Sequence, residues 1–595
     1  MHRARLYKAI HIWRLRHLSQ RTYLLILSLI VGVLSGLAAV LLKTIVHQVN
    51  RLLLSLDIET FVGGNLLMLI YPIVGILLTL LFIKFFVGGN IGHGIPSVLF
   101  AISRKRGILP PKNMYSSLIA STLTVAFGGS VGLEAPIAST GSAIGSNIGR
   151  ICRLSTKHVK MLLGCGAAGA VAGIFKAPIA GIFFAVEVFM FDLTSTTAIP
   201  LMLSSISAST VAYFLMGTDV QFAFSVTEEF SLIQIPFYVI LGVFCACASV
   251  YFLRVTDKVE TWFSRFPSKW TRLILGGIIL GLLIFLFPPL FGEGYGSLTA
   301  LLRGDSSVLF AHSIFEKFQA ENWALLIMLI ALILLKVVAT ATTIGSGGAG
   351  GTFGPSLIVG GLSGYFVAVL CNSLGCPEQS CANFALVGMA AVMSGVMHAP
   401  LMATFLIAEI TGGYELMAPL LIAVAVTYIC VNPFEKHSIY ARKLAVHGDL
   451  LTHDKDKSAW HLMDLRKIIE NDFIPVHQGR PLRDLVEAIK RSHRNIFPVL
   501  DAENHFVGVI HLDDVRKVIF QPELYDTQKL DEYIYPISEG DIVNINDSPF
   551  SVVKKFQIGN RYNLIVIDDE RNYIGVLSRA NTFSAYRQFV YETTE

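Results

Sequence analysis

The sequence predicts an all-α polytopic membrane protein that ends in a cytoplasmic α/β pair of small modules. Hydrophobic residues make up 53% of the 595-residue chain and charged residues only 15%, whereas a soluble protein carries about a quarter charged residues. Apolar stretches close to the length of a membrane span recur up to about residue 431. After Asn432 the chain becomes ordinarily polar, which indicates a second region.

The apolar part contains ten stretches, and several are too short or too rich in glycine to form one clean span. Broken helices that line a cavity are the expected solution. Arg, Lys and His concentrate in residues 1–21, which predicts a retained cytoplasmic segment rather than a cleaved signal. The stretches lie at about 22–42, 66–87, 161–190, 199–216, 235–253, 272–291, 323–340, 355–373, 383–410 and 416–431.

Three glycine-rich patches inside the apolar region each end in a proline that suits the first turn of a helix. They are Gly92-His93-Gly94-Ile95-Pro96, Gly132-Leu133-Glu134-Ala135-Pro136 and Gly351-Thr352-Phe353-Gly354-Pro355. The free N–H groups and the dipole at a helix start favour an anion. Together with a fourth patch, Ser438-Ile439-Tyr440, they predict a path for a small anion across the membrane.

An internal repeat links the two halves of the apolar region. A Gly-x-x-x-Ala-Pro motif precedes a glutamate at the same distance in both halves: Glu187 lies nine residues after Pro178, and Glu409 nine residues after Pro400. Two-fold repeats with interrupted helices are typical of transporters whose substrate site lies where the halves meet. A carboxylate in this setting is either functional or a buried structural group, and we expect the structural role for both glutamates.

The polar region from about Asn471 to Gln588 is also a repeat. Each half contains short apolar strands, a helical pattern and a tight acidic turn, as in Asn495–Asp501 and Tyr562–Asp568. This pattern resembles a tandem pair of CBS modules. We therefore expect a linker at 448–467 and the pair at 468–595.

The membrane motifs are similar to those of the CLC chloride channels and chloride/proton antiporters, and the resemblance covers about residues 20–447. It implies the CLC fold, with two inverted repeats of tilted and broken helices, in a transport domain at 22–447. It also implies a homodimer in the lipid of a bacterial inner membrane, with both termini in the cytoplasm. The whole chain looks like a bacterial member of this family with an appended CBS pair.

The resemblance assigns roles to residues of the glycine-rich patches. Glu134 matches the gating glutamate, which occupies an outer anion site and leaves it when protonated; the alternative is a plain helix cap. The backbone of Thr352 and Phe353 and the hydroxyl of Tyr440 match the central anion site. A close helix crossing and an interfacial aromatic residue are the alternatives for these positions.

Two membrane positions depart from the family pattern. His93 stands where the family usually has serine, so either its imidazole or the backbone of Gly94 and Ile95 lines the central site. Val188 stands where antiporters commonly have a second, proton-relaying glutamate. Valine cannot carry a proton, so this residue favours a channel-like protein.

Nucleotide-binding CBS modules often carry a Ser or Thr followed three residues later by an Asp, and each module of this chain has only one of these two residues. His511 and Asp514 are the candidates in the first module, and Ser578 and Asn581 in the second. Binding of an adenine nucleotide and a purely structural pair are both open alternatives. No cofactor is required by the motifs.

We predict transport of chloride or another small anion through a pore gated by a glutamate, channel-like or weakly coupled to protons. Strict chloride/proton antiport is one alternative. A CBS-regulated magnesium transporter is another, but it needs intramembrane carboxylate clusters that the sequence lacks. No nucleophile–base set, metal spacing or nucleic-acid patch is present, so neither an enzyme nor a nucleic-acid partner is expected. A disulfide between Cys376 and Cys381 is left open.

Overall fold

The computed structural model describes residues 18–55, 66–88, 94–217, 230–319, 321–446, 463, 465–558 and 561–594. The chain divides into two compact units, 1–450 and 451–595. Eight of the described helices are long and apolar enough to cross a membrane, which agrees with a multi-pass protein. Most of the predicted linker at 448–467 lies outside the described residues.

The first unit is built from helices, several of them short. Single π-helical turns extend α2 through Ile83–Val87 and α7 through Phe184–Val188. The helices are α1 Gln20–Leu54, α2 Tyr71–Phe82, α3 Gly94–Arg104, α4 Asn113–Ala126, α5 Glu134–Ile151, α6 Thr156–Phe175, α7 Pro178–Phe183, α8 Ser195–Met216, α9 Ile235–Ser264, α10 Lys269–Leu286, α11 Tyr295–Leu302, α12 Asn322–Gly345, α13 Phe353–Ser373, α14 Cys381–Met397, α15 Pro400–Thr411, α16 Met417–Val431 and α17 Arg442–Val446.

Two of the predicted apolar stretches, 161–190 and 383–410, are each broken into two helices. The break has the same cause in both. Lys176 and His398 follow the ends of α6 and α14 in the left-handed region, with φ of 57° and 54°. Each is followed by Ala-Pro, and the proline starts the next helix. The prediction of broken helices is therefore confirmed.

Equivalent helix pairs of the two halves cross at glycine. Gly141 of α5 and Gly166 of α6 lie against each other's main chain with no room for a Cβ atom, and Gly360 of α13 and Gly388 of α14 do the same. Small residues let two membrane helices approach closely. These crossings pack α5 closely against α6 and α13 closely against α14. The first turns of α5 and α13 carry two of the glycine-rich patches.

Glu187 and Glu409 cap each other's helices. The two carboxylate oxygens of Glu187 accept the N–H groups of Leu401 at 3.0 Å and Met402 at 2.8 Å, at the start of α15. Those of Glu409 accept the N–H groups of Ile179 at 3.0 Å and Ala180 at 2.8 Å, at the start of α7. Because each helix end supports the other helix start, α7 and α15 run antiparallel, as a two-fold relation requires.

The second unit contains two three-stranded sheets with the same topology. In each, the first two strands are parallel and the third is antiparallel to the second. The elements are β1 Val476–His477, α18 Leu482–Arg491, β2 Ile496–Leu500, β3 Phe506–His511, α19 Leu512–Val515, β4 Ile542–Asn544, α20 Pro549–Ile558, β5 Asn563–Ile567, β6 Tyr573–Ser578 and α21 Arg579–Thr594.

The acidic turns repeat as well. Asp501 accepts the N–H groups of Glu503 and His505, both at 2.8 Å. Asp568 accepts the N–H of Asn572 at 2.8 Å and its side-chain amide at 2.9 Å. The hydrogen bond from the Asn572 side chain holds the pKa of Asp568 below its ordinary value. The predicted repeat of strand, turn and strand is confirmed.

Candidate anion site

The loops that precede α5 and α13 pair directly. The N–H of Gly132 donates to the carbonyl of Gly351, and the N–H of Gly351 donates back to the carbonyl of Gly132, both at 2.8 Å. This short antiparallel bridge fixes the start of α5 in the first half beside the start of α13 in the second. Two helix N-termini, each with free N–H groups, are therefore adjacent.

Glu134 is the first residue of α5, and its side chain reaches the start of α13. Its Oε2 atom accepts the N–H of Gly354 at 3.2 Å, and its Oε1 atom accepts the hydroxyl of Tyr295 at 2.6 Å. The residue is only 2% exposed. A carboxylate that accepts an N–H at a helix start takes the place that a free anion would occupy there.

A further charged group lies beside this carboxylate. Glu293 Oε1 accepts the N–H of Leu133, the residue before Glu134, at 3.1 Å. Lys336, which is 1% exposed, donates from Nζ to the carbonyl of Gly292 at 2.9 Å. Neither residue was predicted from the sequence, although Glu293 and Lys336 are charges within apolar sequence and such charges are functional by default.

A cavity of about 320 Å³ brings the four sequence patches together. Gly94 and Ile95 at the start of α3, Thr352 before α13 and Tyr440 all line it. Ala135, the residue after Glu134, also lines it. Other lining residues carry charge: Asp257, Glu260, Lys269 and Arg272. The predicted convergence of these patches is therefore present, and the cavity approaches the start of α5.

Two hydroxyl groups in the cavity wall stand out because they are buried. Thr352 is 6% exposed and Tyr440 is 5% exposed. Within the part of the chain that the structure describes, neither Oγ1 of Thr352 nor Oη of Tyr440 has a hydrogen-bond partner. Buried polar groups are normally satisfied, and each exception calls for a ligand, an ion or water. An anion in the cavity would accept from both hydroxyls.

The segment that carries Tyr440 is held by charged contacts. Arg442 pairs with Asp257 at 2.9 Å and with Glu435 at 3.2 Å, and Arg254 pairs with Glu435 at 2.8 Å. Asp257 and Arg254 belong to α9, so this network ties the segment to a long helix. The N–H of Ile439 also donates to the carbonyl of Val396, at the end of α14, at 3.1 Å.

Two other membrane residues singled out from the sequence, Phe353 and Val188, contribute no side chain to the described cavity wall. The ring of Phe353 is fully buried and stacks on Phe175 with 5.4 Å between centroids, so its side chain belongs to the core. Val188 is 5% exposed and also lies in the core. His93 lies outside the described residues, and its role stays a prediction.

The candidate nucleotide residues of the CBS pair are partly engaged by protein. The Ser578 hydroxyl donates to the carboxylate of Glu470, which also accepts from Arg494 at 2.5 Å. The N–H of Asn581 donates to Ser578 Oγ at 3.2 Å. His511 lies with its ring edge-on to Tyr535 at 6.3 Å, and Asp514 is exposed.

Two further points from the sequence concern a disulfide between Cys376 and Cys381 and a metal site. Cys376 and Cys381 are both free thiols in the structure. Among the described residues, no group of three or more His, Cys, Asp or Glu side chains is arranged to hold a metal ion.

Two adjacent helix starts that share a buried carboxylate, beside a cavity, are the arrangement expected of a membrane anion transporter. The chain belongs to the voltage gated chloride channel family, whose model matches residues 74–432, and a CBS domain model matches residues 465–521. It is thus a protein of the CLC chloride-transport family with a C-terminal CBS region. The family assignment gives no support to the magnesium-transporter alternative.

Named relatives include both channels and antiporters. The voltage-gated ClC-type chloride channel ClcB of Escherichia coli is 27% identical over 343 residues, which cover 56% of this chain and 75% of that protein. The crystal structure of a CLC-type fluoride/proton antiporter is 25% identical with a TM-score of 0.55, covering 70% of this chain and 97% of that one. A slow cyanobacterial Cl⁻/H⁺ antiporter is 24% identical with a TM-score of 0.59, covering 72% and 98%, and this likeness concerns the fold alone.

Proposed function

We propose that the protein carries chloride or another small anion across the membrane and that Glu134 is the gate of its pathway. The observation that carries the proposal is the hydrogen bond from the N–H of Gly354 to the Glu134 carboxylate. The carboxylate and a passing anion compete for the same helix start. Protonation removes the negative charge that favours this position, so the side chain leaves and the pathway opens.

The cavity supplies the rest of the pathway. An anion that enters it meets the unpartnered hydroxyls of Thr352 and Tyr440, which donate to it. The backbone of Gly94, Ile95 and Phe353 is proposed to complete this central site, and the imidazole of His93, which lies outside the described residues, is the alternative donor. A neutral imidazole at His93 adds one hydrogen-bond donor, and a protonated one adds positive charge.

Coupling to protons is weak or absent in this proposal. Val188 offers no group that binds a proton, and both carboxylate oxygens of its neighbour Glu187 are committed to the start of α15. Strict chloride/proton antiport is the alternative. It is favoured by Asp257 and Glu260, two carboxylates that line the same cavity as Ala135 next to the gate.

Reconstitution in liposomes, with chloride and pH measured together, tests the proposal. An imposed chloride gradient is expected to drive chloride flux with little uphill proton movement. Stoichiometric proton pumping would replace the channel-like reading with antiport, and absence of any anion flux would remove the transport proposal. Magnesium flux without chloride flux would do the same.

The working form is proposed to be a homodimer in a bacterial inner membrane, with both termini in the cytoplasm and no enzymatic activity. Large apolar side chains remain exposed on α8, α15 and α16, as expected of surfaces that meet lipid or a second protomer. They include Ile199, Met202, Ile206, Leu401, Leu421 and Ile429. Light scattering of the detergent-solubilised protein would give the mass of a dimer, and the mass of one chain would contradict this assembly.

The CBS pair is proposed to act as a structural pair that needs no nucleotide. The hydroxyl of Ser578, one of the candidate ligands, is already bonded to Glu470, which is itself paired with Arg494. A nucleotide would have to displace this contact. Adenine-nucleotide binding is the alternative, and His511, Asp514 and Asn581 remain its candidate ligands.

A further inference from the structure

The segment Gly292–Tyr295, which ends at the first residue of α11, contacts the gating residue and the residue before it. We call it the latch segment. The Tyr295 hydroxyl donates to Glu134 Oε1 at 2.6 Å, while Glu293 Oε1 accepts the N–H of Leu133 at 3.1 Å. One short segment therefore contacts both the gating side chain and the backbone from which it extends.

The latch segment is itself anchored on two sides. The N–H of Gly292 donates to the carbonyl of Gly128, in the loop before α5, at 3.2 Å. The carbonyl of Gly292 accepts from Lys336 Nζ of α12 at 2.9 Å. Gly294 precedes α11 with φ of 94°, a conformation that other residues rarely adopt. These contacts make the segment a fixed support rather than a loose loop.

We propose that Tyr295 is a positioning residue that holds the Glu134 carboxylate at the start of α13, with Glu293 fixing the backbone beneath it. This inference rests on the proposed function of Glu134 as the gate. A hydroxyl that donates to an ionised carboxylate forms one of the stronger hydrogen bonds in proteins. The bond is lost when the side chain leaves, so it stabilises the closed, deprotonated gate.

Other charged and titratable groups also face Glu134 or Glu293, and they determine which variants are informative. They are Lys43 of α1, Lys336 of α12 and Tyr440. Tyr295→Phe leaves all of them in place and removes one hydroxyl. Glu293→Gln keeps a carbonyl oxygen for the N–H of Leu133 but removes a negative charge beside Glu134.

The two variants are therefore expected to change the gate in opposite directions. Tyr295→Phe removes a donor that favours the ionised carboxylate, so Glu134 is protonated at higher pH. The pH of half-maximal chloride flux should rise by about one unit, since a hydrogen bond to a charged group corresponds to roughly a tenfold change in equilibrium. Glu293→Gln removes a like charge, so the half-maximal pH should move toward acid.

The experiment measures chloride flux against pH for the full-length protein in liposomes. Tyr365→Phe is the matched control, because it removes the hydroxyl of another buried tyrosine, a residue of α13 that is 6% exposed. It should keep the wild-type profile. Shifts of opposite sign for Tyr295→Phe and Glu293→Gln support the proposal, and an unchanged profile for Tyr295→Phe overturns it.

The variant Glu134→Gln distinguishes an error in the proposed role of Tyr295 from an error in the proposed role of Glu134. If the chloride flux of Glu134→Gln is independent of pH while Tyr295→Phe behaves as the wild type, only the proposed role of Tyr295 is wrong. If Glu134→Gln flux keeps its pH dependence, the gate proposal itself fails. The double variant Glu134→Gln/Tyr295→Phe should match Glu134→Gln, because Tyr295 acts through that carboxylate, and a further shift would contradict this.

Discussion

Glu134, from the first half of the membrane unit, accepts a hydrogen bond at 3.2 Å from the backbone N–H of Gly354, from the second half. The proposed gate is thus a contact between the two repeats. The same halves are joined by the paired backbones of Gly132 and Gly351. Because both partners in each contact lie at a helix start, the place where the repeats meet is also the place that attracts an anion.

Gly132→Ala is expected to open the gate partly. A Cβ atom on Gly132 would collide with Glu134 Oε2 and lie close to the N–H of Gly354. The carboxylate would then be displaced from the start of α13, so chloride flux at neutral pH should rise severalfold. Gly296→Ala is the control, because a Cβ there meets nothing within 4 Å. Equal flux in the two variants would contradict the geometry described for the gate.

Tyr440→Phe should weaken chloride or bromide binding about tenfold, the usual effect of losing one hydrogen bond to a charged partner. It should leave thermal stability unchanged or slightly raised. The reason is that the Tyr440 hydroxyl has no protein partner in the described part of the chain, so its removal breaks no internal hydrogen bond. Calorimetric titration with bromide and a melting curve test both parts. A large loss of stability with unaltered binding would make Tyr440 a structural residue.

Glu187→Ala and Glu409→Ala should each destabilise the membrane unit by about 1–2 kcal/mol, the usual cost of losing a helix cap. Each removes two backbone hydrogen bonds at the start of the opposite helix. The chloride-to-proton ratio should not change, because neither carboxylate is free to carry protons. Melting curves and a coupled flux assay give the answer, and a changed ratio with normal stability would assign the residue to proton transfer.

ATP at millimolar concentration should leave the melting temperature of the full-length protein unchanged. Ligand binding to the folded state raises that temperature by mass action. Ser578 is already bonded to Glu470 and is not available to a nucleotide without a rearrangement. A rise in melting temperature that Asp514→Ala abolishes would instead make the CBS pair a nucleotide site.

Sequence reasoning located the patches around Glu134, Thr352 and Tyr440 because each has a local signal, glycine and proline at a helix start or a short motif. The cavity then brings Gly94, Thr352 and Tyr440 together as expected. Broken helices were expected in general, from short and glycine-rich stretches, but the positions of the breaks at Lys176 and His398 were not predicted. Where the signal was local, the predicted helix starts agree with the structure, while the roles of the site residues stay predictions.

The contacts that hold the Glu134 carboxylate were not predicted because they join residues far apart in the chain. Tyr295 is 161 positions from Glu134, and Glu293 is 160 from Leu133. No periodicity or spacing in a single sequence pairs such positions. The reciprocal capping by Glu187 and Glu409 had the same origin: the equal spacing indicated a repeat, but only the fold shows that each carboxylate serves the opposite half.

The pH dependence of chloride flux in Glu134→Gln tests the central claim most directly. Glutamine keeps the size of the side chain but is neutral at every pH, so it cannot alternate between an ionised and a protonated gate. Liposome flux measured from about pH 4 to 8 should therefore lose its steep rise in acid in the variant, while the wild type is faster in acid. Flux that rises in acid as steeply in Glu134→Gln as in the wild type would contradict the account.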